Sequence, residues 1–248
     1  MKKRLNKKPL LSVVMPVYNE AETILTVIKA IKKSSVRNKE IIVVDDGSTD
    51  GTSQLLKKHK LLIDTLIIKS KNGGKGAALK AGFAAAKGEI IIIQDADLEY
   101  DPREYETIIS PILEKRADVV YGSRFVGSKP HRVVYFVHYL GNLLLTFLSN
   151  LFTNLNLTDM ETGYKAFKKE ILNQIVITEN SFGIEPEITA KVAALKIRMY
   201  EVGISYHGRT YEEGKKIGLK DFFRAVWVII KWGVKLRFLP YVKLQLGL

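Results

Sequence analysis

A run of four isoleucines followed directly by carboxylates constrains the fold more than any other segment. The run covers residues 90–93, is preceded by Gly88, and is followed by Asp95, Asp97 and Glu99. Four consecutive Ile residues indicate a strand that is buried on both faces. Open α/β sheets bind their ligands beyond the carboxyl ends of such strands. The sequence therefore predicts a polar site at the end of this strand.

The spacing of the first two acids indicates what this site could bind. Asp95 and Asp97 flank Ala96, so in an extended segment their side chains lie on the same side. Two such carboxylates can hold a hard divalent cation and leave room for phosphate oxygens, as Mg²⁺ or Mn²⁺ with a nucleoside diphosphate would require. Two acids after a strand are also typical of a solvated turn or a helix N-cap, and these residues alone leave that alternative open.

The chain alternates between strand and helix patterns. Apolar runs predict strands at residues 12–17, 41–45, 62–68, 89–94 and 118–121. Helical periodicity predicts helices at 21–33, 52–58, 76–87, 102–115, 187–195 and 219–235. Alternation of this kind favours an α/β fold with a mostly parallel sheet and helices on both faces.

The net charge of +13 is concentrated at the two ends of the chain. Residues 1–8 hold five basic side chains, and residues 220–248 hold six against one acid. Such ends suit anionic lipid headgroups or nucleic acid, although a merely solubilising role remains open. No nucleic-acid motif or array of stacking aromatics is present, so we predict no nucleic-acid partner. The chain has no cysteine, which excludes disulfides and thiolate metal sites.

Two apolar segments point to a membrane surface. Residues 133–152 are long enough to span a bilayer, but their polar side chains fall in a single helical stripe. We predict a helix in the bilayer interface, with packing against the sheet and a true span as alternatives. Residues 220–238 place basic side chains on one face of an otherwise apolar helix, which predicts a second interfacial helix. The polar stripe of the first segment consists of His138, Asn142, Thr146, Ser149 and Asn150.

Seven motifs occur in a fixed order along the chain. They are residues 11–20 (LSVVMPVYNE), 40–52 (EIIVVDDGSTDGT), 94–99 (QDADLE), 121–125 (YGSRF), 158–167 (TDMETGYKAF), 185–188 (EPEI) and 208–216 (GRTYEEGKK). Together they resemble family 2 glycosyltransferases, and in particular the dolichyl-phosphate (polyprenyl-phosphate) hexosyltransferase branch, over about residues 10–218. The resemblance implies a GT-A-like, Rossmann-type fold.

The resemblance also implies an activity. It implies a metal-dependent, inverting transfer of a hexose from a nucleotide sugar to a dolichyl or polyprenyl phosphate, with GDP-mannose, UDP-glucose and UDP-N-acetylglucosamine all open as donors. The enzyme would be cytoplasmic and peripherally bound to the cytoplasmic face of an anionic membrane. Transfer to a glycan, glycolipid or protein is an alternative, as is a non-catalytic nucleotide-sugar or lipid-binding protein. We divide the chain into a basic tail (1–9), a glycosyltransferase domain (10–218) and a basic amphipathic helix with its tail (219–248).

Individual roles follow from the same resemblance. The implied catalytic residues are Asp95, Asp97, Arg124 and Asp159; the implied ligands of Mg²⁺ or Mn²⁺ are Asp95, Asp97 and Glu99. Arg124 and Arg132 would bind the acceptor phosphate, since guanidinium groups bind phosphate in a bidentate manner. The implied nucleotide-sugar contacts are Pro16, Tyr18, Glu20, Asp45, Asp46, Lys75, Asp95, Ala96, Asp97, Arg209 and Lys215. For Asp45 and Asp46, turn and N-cap chemistry remains an alternative.

Overall fold

The computed structural model of the protein describes residues 9–127, 129–133, 135–209, 212 and 218–238. The basic residues 1–8, the C-terminal residues 239–248 and the predicted site residue Lys215 lie outside these ranges.

Seven strands and eight α-helices make up the described part of the chain. The strands are β1 (Leu11–Val17), β2 (Lys39–Asp45), β3 (Thr65–Ile68), β4 (Ile90–Ile93), β5 (Val119–Ser123), β6 (Lys165–Lys168) and β7 (Met199–Gly203). The helices are α1 (Ile24–Lys33), α2 (Thr52–Lys58), α3 (Lys75–Ala85), α4 (Tyr105–Leu113), α5 (Phe136–Thr153), α6 (Lys169–Leu172), α7 (Ile184–Ala194) and α8 (Leu219–Phe238). Short 3₁₀ helices cover Lys60–Leu62 and Pro102–Glu104.

The strands form one mixed sheet in the order β3-β2-β1-β4-β6-β5-β7. The pairs β1–β2, β1–β4, β2–β3 and β5–β7 are parallel, whereas β6 runs antiparallel to β4 and β5. The predicted, mostly parallel α/β sheet is therefore confirmed. The sequence patterns did not predict β6 and β7.

Side chains of the central strands alternate between two apolar cores, one on each face of the sheet. Val13 and Ile41 belong to the core that α1 covers, and Val14 and Ile42 belong to the core that α3 and α7 cover. All four isoleucines of β4 are at most 3% exposed. The central strands are thus buried on both faces of the sheet.

Helix α5 has its polar stripe turned toward the protein. Thr146 and Ser149 are buried, and the Asn150 side chain exchanges two hydrogen bonds with the backbone of Leu157. Large apolar side chains on the other side are exposed, among them Phe136 (70%) and Phe147 (61%). None of the helices in the ranges given above is long and apolar enough to cross a bilayer.

Helix α8 packs beside α5 and α7 and contributes to the core. Ala225 and Ile229 are buried in the core on the α3 face. A Cβ at Gly233 would lie only 2.4 Å from the ring of Phe152, so glycine permits the close contact of α8 with α5. Along its other side α8 exposes large apolar residues, including Phe223 and Trp227.

Candidate active site

A cavity of about 940 Å³ opens beyond the ends of β1, β2 and β4. Eleven of the fifteen side chains predicted for the site line it: Pro16, Tyr18, Glu20, Asp46, Lys75, Asp95, Ala96, Asp97, Glu99, Arg124 and Arg209. Asp45, Arg132 and Asp159 are not part of the lining, and Lys215 lies outside the described residues. The cavity therefore lies where the ends of the parallel strands were expected to place a ligand.

Asp95 is held between a lysine and a glycine. Its carboxylate lies 3.1 Å from Nζ of Lys75, which also contacts Glu185 at 2.9 Å. Although burial favours the neutral amine, the charges of Asp95 and Glu185 raise the pKa of Lys75 well above its usual value. A Cβ at Gly163 would come within 2.2 Å of Asp95 Oδ2. Glycine at this position therefore lets the chain pass directly beside the carboxylate.

Asp97 lies in a site with an excess of negative charge. Burial, together with the charges of Asp95 and Glu99, raises the pKa of Asp97 to about 8. Its Oδ2 is 3.4 Å from Nη2 of Arg209, which also pairs with Glu20 at 3.1 Å. Arg209 Nε is buried and donates no hydrogen bond. The arginine thus retains one donor that a phosphate oxygen could use.

All three predicted metal ligands already have partners within the protein, Asp95 with Lys75 and Asp97 with Arg209. Both oxygens of Glu99 already accept hydrogen bonds, from the Tyr206 hydroxyl (2.9 Å) and the Arg209 backbone N–H (2.8 Å). The described residues include no group of three or more His, Asp or Glu side chains arranged to hold a metal. Mg²⁺ is often bound by one or two carboxylates, with phosphates and water completing its shell, so the absence of such a group is compatible with a cation at Asp95 and Asp97, and the role of Glu99 as a third ligand stays a prediction.

The two aspartates at the end of β2 differ in their surroundings. Asp46 lines the cavity and accepts hydrogen bonds from Lys69 and from the backbone of Gly73 (2.9 Å) and Gly74 (2.6 Å). Asp45 is fully buried and accepts hydrogen bonds from Ser48 and Ser53. Asp45 thus organises the turn, as its alternative interpretation proposed. A direct contact with nucleotide stays a prediction for both residues.

Arg124 forms a buried bidentate pair with Asp159. Nε and Nη2 each donate to one Asp159 oxygen at 2.6 Å, and the Arg124 backbone N–H donates to the same carboxylate at 3.0 Å. Nη2 also reaches Asn142 of α5 at 3.0 Å, and the guanidinium lies 5.2 Å from the ring centre of Tyr206. The carboxylate of Asp159 thus fixes the orientation of Arg124 in the cavity wall.

Two glutamates in the cavity wall were not among the predicted site residues. Glu161 Oε1 and Glu185 Oε2 are buried and have no hydrogen-bond partner. Burial and the charge of Glu185 raise the pKa of Glu161 to about 8, and burial lowers the pKa of nearby Lys165 to about 8. Both glutamates belong to motifs noted in the sequence, but a single acid within a motif carries no sign of its burial.

Arg132 lies outside the cavity lining on an exposed segment before α5. Its backbone N–H donates to Tyr206 O at 2.8 Å, and its Nη1 donates to Gly208 O at 3.1 Å. Arg132 therefore contacts the loop that carries Arg209. Its predicted contact with an acceptor phosphate remains untested.

Helices α5 and α8 line a second, apolar part of the cavity. Side chains from α5 and from α8 form this wall, together with Phe182 from the loop before α7. The apolar side chains contributed by the two helices are Val137, Leu140, Leu144, Leu145, Leu219, Phe222 and Ala225, and the same helices also contribute His138, Gly141, Asn142 and Asp221 to the lining. One continuous space thus joins the carboxylates and Arg124 to an apolar wall.

Comparison with solved structures identifies the fold. The protein superposes on glucosyl-3-phosphoglycerate synthase from Mycobacterium tuberculosis, crystallised with Mn²⁺, UDP and glucosyl-3-phosphoglycerate, with a TM-score of 0.71. The match covers 92% of this chain and 80% of that chain at 20% sequence identity. The same enzyme, in complex with Mg²⁺ and UDP, gives a TM-score of 0.69. The fold is therefore that of the GT-A glycosyltransferases.

The family follows from the sequence comparisons. Residues 12–176 match the model of glycosyl transferase family 2, so the chain belongs to that family and is a glycosyltransferase. An uncharacterised protein of Methanocaldococcus jannaschii is 31% identical over 86% of this chain and 90% of its own length. Both the predicted family and the predicted enzyme class are confirmed.

Two further relatives have more specific names. A dodecaprenyl-phosphate galacturonate synthase from Rhizobium johnstonii is 26% identical over 87% of this chain, and the glycosyltransferase AglJ from Haloferax volcanii is 27% identical over 79%. The matches span 64% and 63% of these two proteins.

Proposed function

We propose that the protein transfers one hexose from a nucleotide sugar to a polyprenyl phosphate, with inversion at the sugar carbon, at the surface of a membrane. The observation that carries this proposal is the single cavity whose polar part holds Asp95, Asp97 and Arg124 and whose apolar part is lined by α5 and α8. A lipid phosphate matches these two parts of the cavity, because it has an anionic headgroup joined to an apolar chain. A relative named for a dodecaprenyl-phosphate product supports this assignment.

In this proposal the donor occupies the ends of β1, β2 and β4. Pro16, Tyr18 and Asp46 would contact the nucleoside, and Nε of Arg209, which donates no hydrogen bond within the protein, would donate to the diphosphate. Asp95 and Asp97 would hold Mg²⁺ or Mn²⁺, which when bound neutralises charge on the departing diphosphate. The excess negative charge around Asp97 is the observation that fits this cation.

The acceptor would react as its own anion. A phosphate monoester has a second pKa of about 6, so at neutral pH its oxygen is largely ionised. That oxygen forms a bond to the anomeric carbon while the bond from this carbon to the diphosphate oxygen breaks, and the electron pair leaves with the nucleoside diphosphate. No strong general base is then required. Asp159, whose oxygens bind Arg124, acts as a positioning residue.

A transfer assay tests the proposal directly. Radiolabelled GDP-mannose, UDP-glucose and UDP-N-acetylglucosamine are offered in turn with polyprenyl phosphate in vesicles, with and without Mn²⁺. We expect label in a lipid product for one nucleotide sugar, only with the cation and only with the phosphorylated lipid. The unphosphorylated polyprenol is the matched control. Label transferred to a glycolipid or a protein instead would contradict the assigned acceptor.

Arg132 provides a separate prediction about acceptor binding. Replacing it by Ala should weaken the apparent affinity for polyprenyl phosphate about ten- to a hundredfold, since a charge-assisted contact contributes about 1.5–3 kcal/mol. Arg132→Lys should restore only part of this loss, because an ammonium lacks the planar guanidinium geometry. Paired titrations of donor and acceptor measure both affinities, with the exposed Arg116→Ala as control. A loss confined to the donor would instead assign Arg132 to bracing the Gly208–Arg209 loop.

A further inference from the structure

Two carboxylate oxygens in the cavity have no hydrogen-bond partner. In the described part of the chain, four buried side-chain atoms lack such a partner. Two are donors, on Arg209 and Trp232, and the other two are acceptors, Glu161 Oε1 and Glu185 Oε2. Leaving a buried acceptor unsatisfied is unfavourable, so two such oxygens in one cavity indicate a ligand that donates hydrogen bonds.

The neighbouring cations donate their hydrogen bonds to atoms other than these two oxygens. Lys75 contacts Asp95 and the other oxygen of Glu185. Lys165 donates to the backbone carbonyls of Met160 (2.9 Å) and Thr162. Arg124 is occupied by Asp159 and Asn142. The groups in this part of the cavity that can still form hydrogen bonds are therefore acceptors.

Both glutamates lie next to the position where the donor sugar would be held. Glu161 is two residues before Gly163, whose missing Cβ leaves room for Asp95 Oδ2. Lys75 bridges Asp95 to Glu185. In the proposed function Asp95 faces the donor diphosphate through the cation, so the sugar attached to that diphosphate would lie beside the two glutamates.

We propose that Glu161 and Glu185 accept hydrogen bonds from the hydroxyl groups of the donor sugar, and that the site binds neutral hexoses in preference to uronic acids. This inference rests on the proposed function. Sugar hydroxyl groups would donate hydrogen bonds to Glu161 Oε1 and Glu185 Oε2, the two oxygens that lack a partner. A uronic acid brings a second carboxylate next to acidic side chains, and juxtaposed like charges are strongly unfavourable.

The test compares nucleotide sugars that differ only in the oxidation of one carbon. With Mn²⁺ present, we measure the affinity for UDP-glucose against UDP-glucuronic acid, for GDP-mannose against GDP-mannuronic acid, and for the bare nucleotides. We expect the neutral sugar of the accepted nucleotide to bind at least about tenfold more tightly than its uronic acid. Equal or tighter binding of the uronic acid would overturn the inference.

Glu161→Gln separates the charge from the shape of the side chain. When both proteins are measured at about pH 9, where a carboxyl with a pKa of about 8 is mostly ionised, this variant should reduce the preference to less than about threefold, chiefly through tighter binding of the uronic acid, and leave bare-nucleotide affinity unchanged. Glu106→Gln, an exposed acid on α4, is the control and should keep the full preference. An unchanged preference in Glu161→Gln, or an equal loss of bare-nucleotide binding, contradicts the role of Glu161. Hexose transfer to polyprenyl phosphate without sugar discrimination would overturn this inference alone, whereas absence of nucleotide binding would overturn the proposed function as well.

Discussion

Replacing Asp97 by Asn should reduce hexose transfer by about a hundred- to a thousandfold and abolish the effect of Mn²⁺ on nucleotide binding. Asn keeps the size of the side chain but removes the charge that would hold the cation. In the wild-type protein, nucleotide with Mn²⁺ should raise the melting temperature more than nucleotide alone. In Asp97→Asn the two values should coincide.

Asp118→Asn is a matched control for this experiment. Asp118 lies just before β5 and outside the cavity lining, where hydrogen bonds from Arg198 and Lys168 hold the pKa of its carboxyl well below the usual range. Its replacement should lower the melting temperature yet preserve the response to Mn²⁺. If Asp97→Asn retained that response, Asp97 would not be a metal ligand, and the proposed donor site would need a different cation position.

Polar substitutions on the outer face of α8 should release the protein from anionic vesicles. Phe223 and Trp227 are 67% and 64% exposed. Inserting one large apolar side chain into lipid contributes about 1.5–3 kcal/mol, so Phe223→Gln with Trp227→Gln should lower the partition coefficient about a hundredfold or more. Co-sedimentation with vesicles measures the change. These substitutions are preferable to deleting the helix, whose Ala225 and Ile229 belong to the core.

Leu61→Gln provides the control for membrane binding. Leu61 is fully exposed, but it lies in the 3₁₀ helix before β3 and away from α5 and α8. This variant should sediment with vesicles like the wild type, and both proteins should bind the nucleotide sugar equally. Sedimentation of the α8 double variant at wild-type levels would show that α8 is not a membrane contact.

The fold could be predicted where a strand contains an uninterrupted apolar run. Strands β1, β2 and β4 contain the runs VVM, IIVV and IIII, which are buried because helices cover both faces of the sheet. Strand β6 is KAFK and β7 is MYEVG, and their charged or polar residues hide the strand pattern. Strand β6 pairs with β4 and β5, and β7 pairs with β5; a local sequence pattern gives little indication of such non-local contacts.

The site residues that could be predicted are those that lie within a recognisable sequence motif. Asp95, Asp97 and Arg209 were found because an acidic pair follows a buried strand and because their motifs resemble those of a known family. The environment of each side chain could not be found this way. Sequence alone does not reveal that Glu99 is occupied by Tyr206 or that Glu161 Oε1 is unpaired, because both depend on segments distant in the chain. The sequence also could not predict which way the polar stripe of α5 faces, because periodicity shows that a stripe exists but not what it contacts.

A protein that rests on the outer faces of α5 and α8 would meet its acceptor in two dimensions. Both helices also line the cavity, so adsorption would place the reacting groups at the depth where a lipid phosphate lies. Confinement of enzyme and acceptor to one thin layer raises their effective concentration without any new contact between them. Turnover would then follow the mole fraction of acceptor within the leaflet rather than its amount per volume of solution. Adding inert lipid at constant acceptor would slow the enzyme by surface dilution.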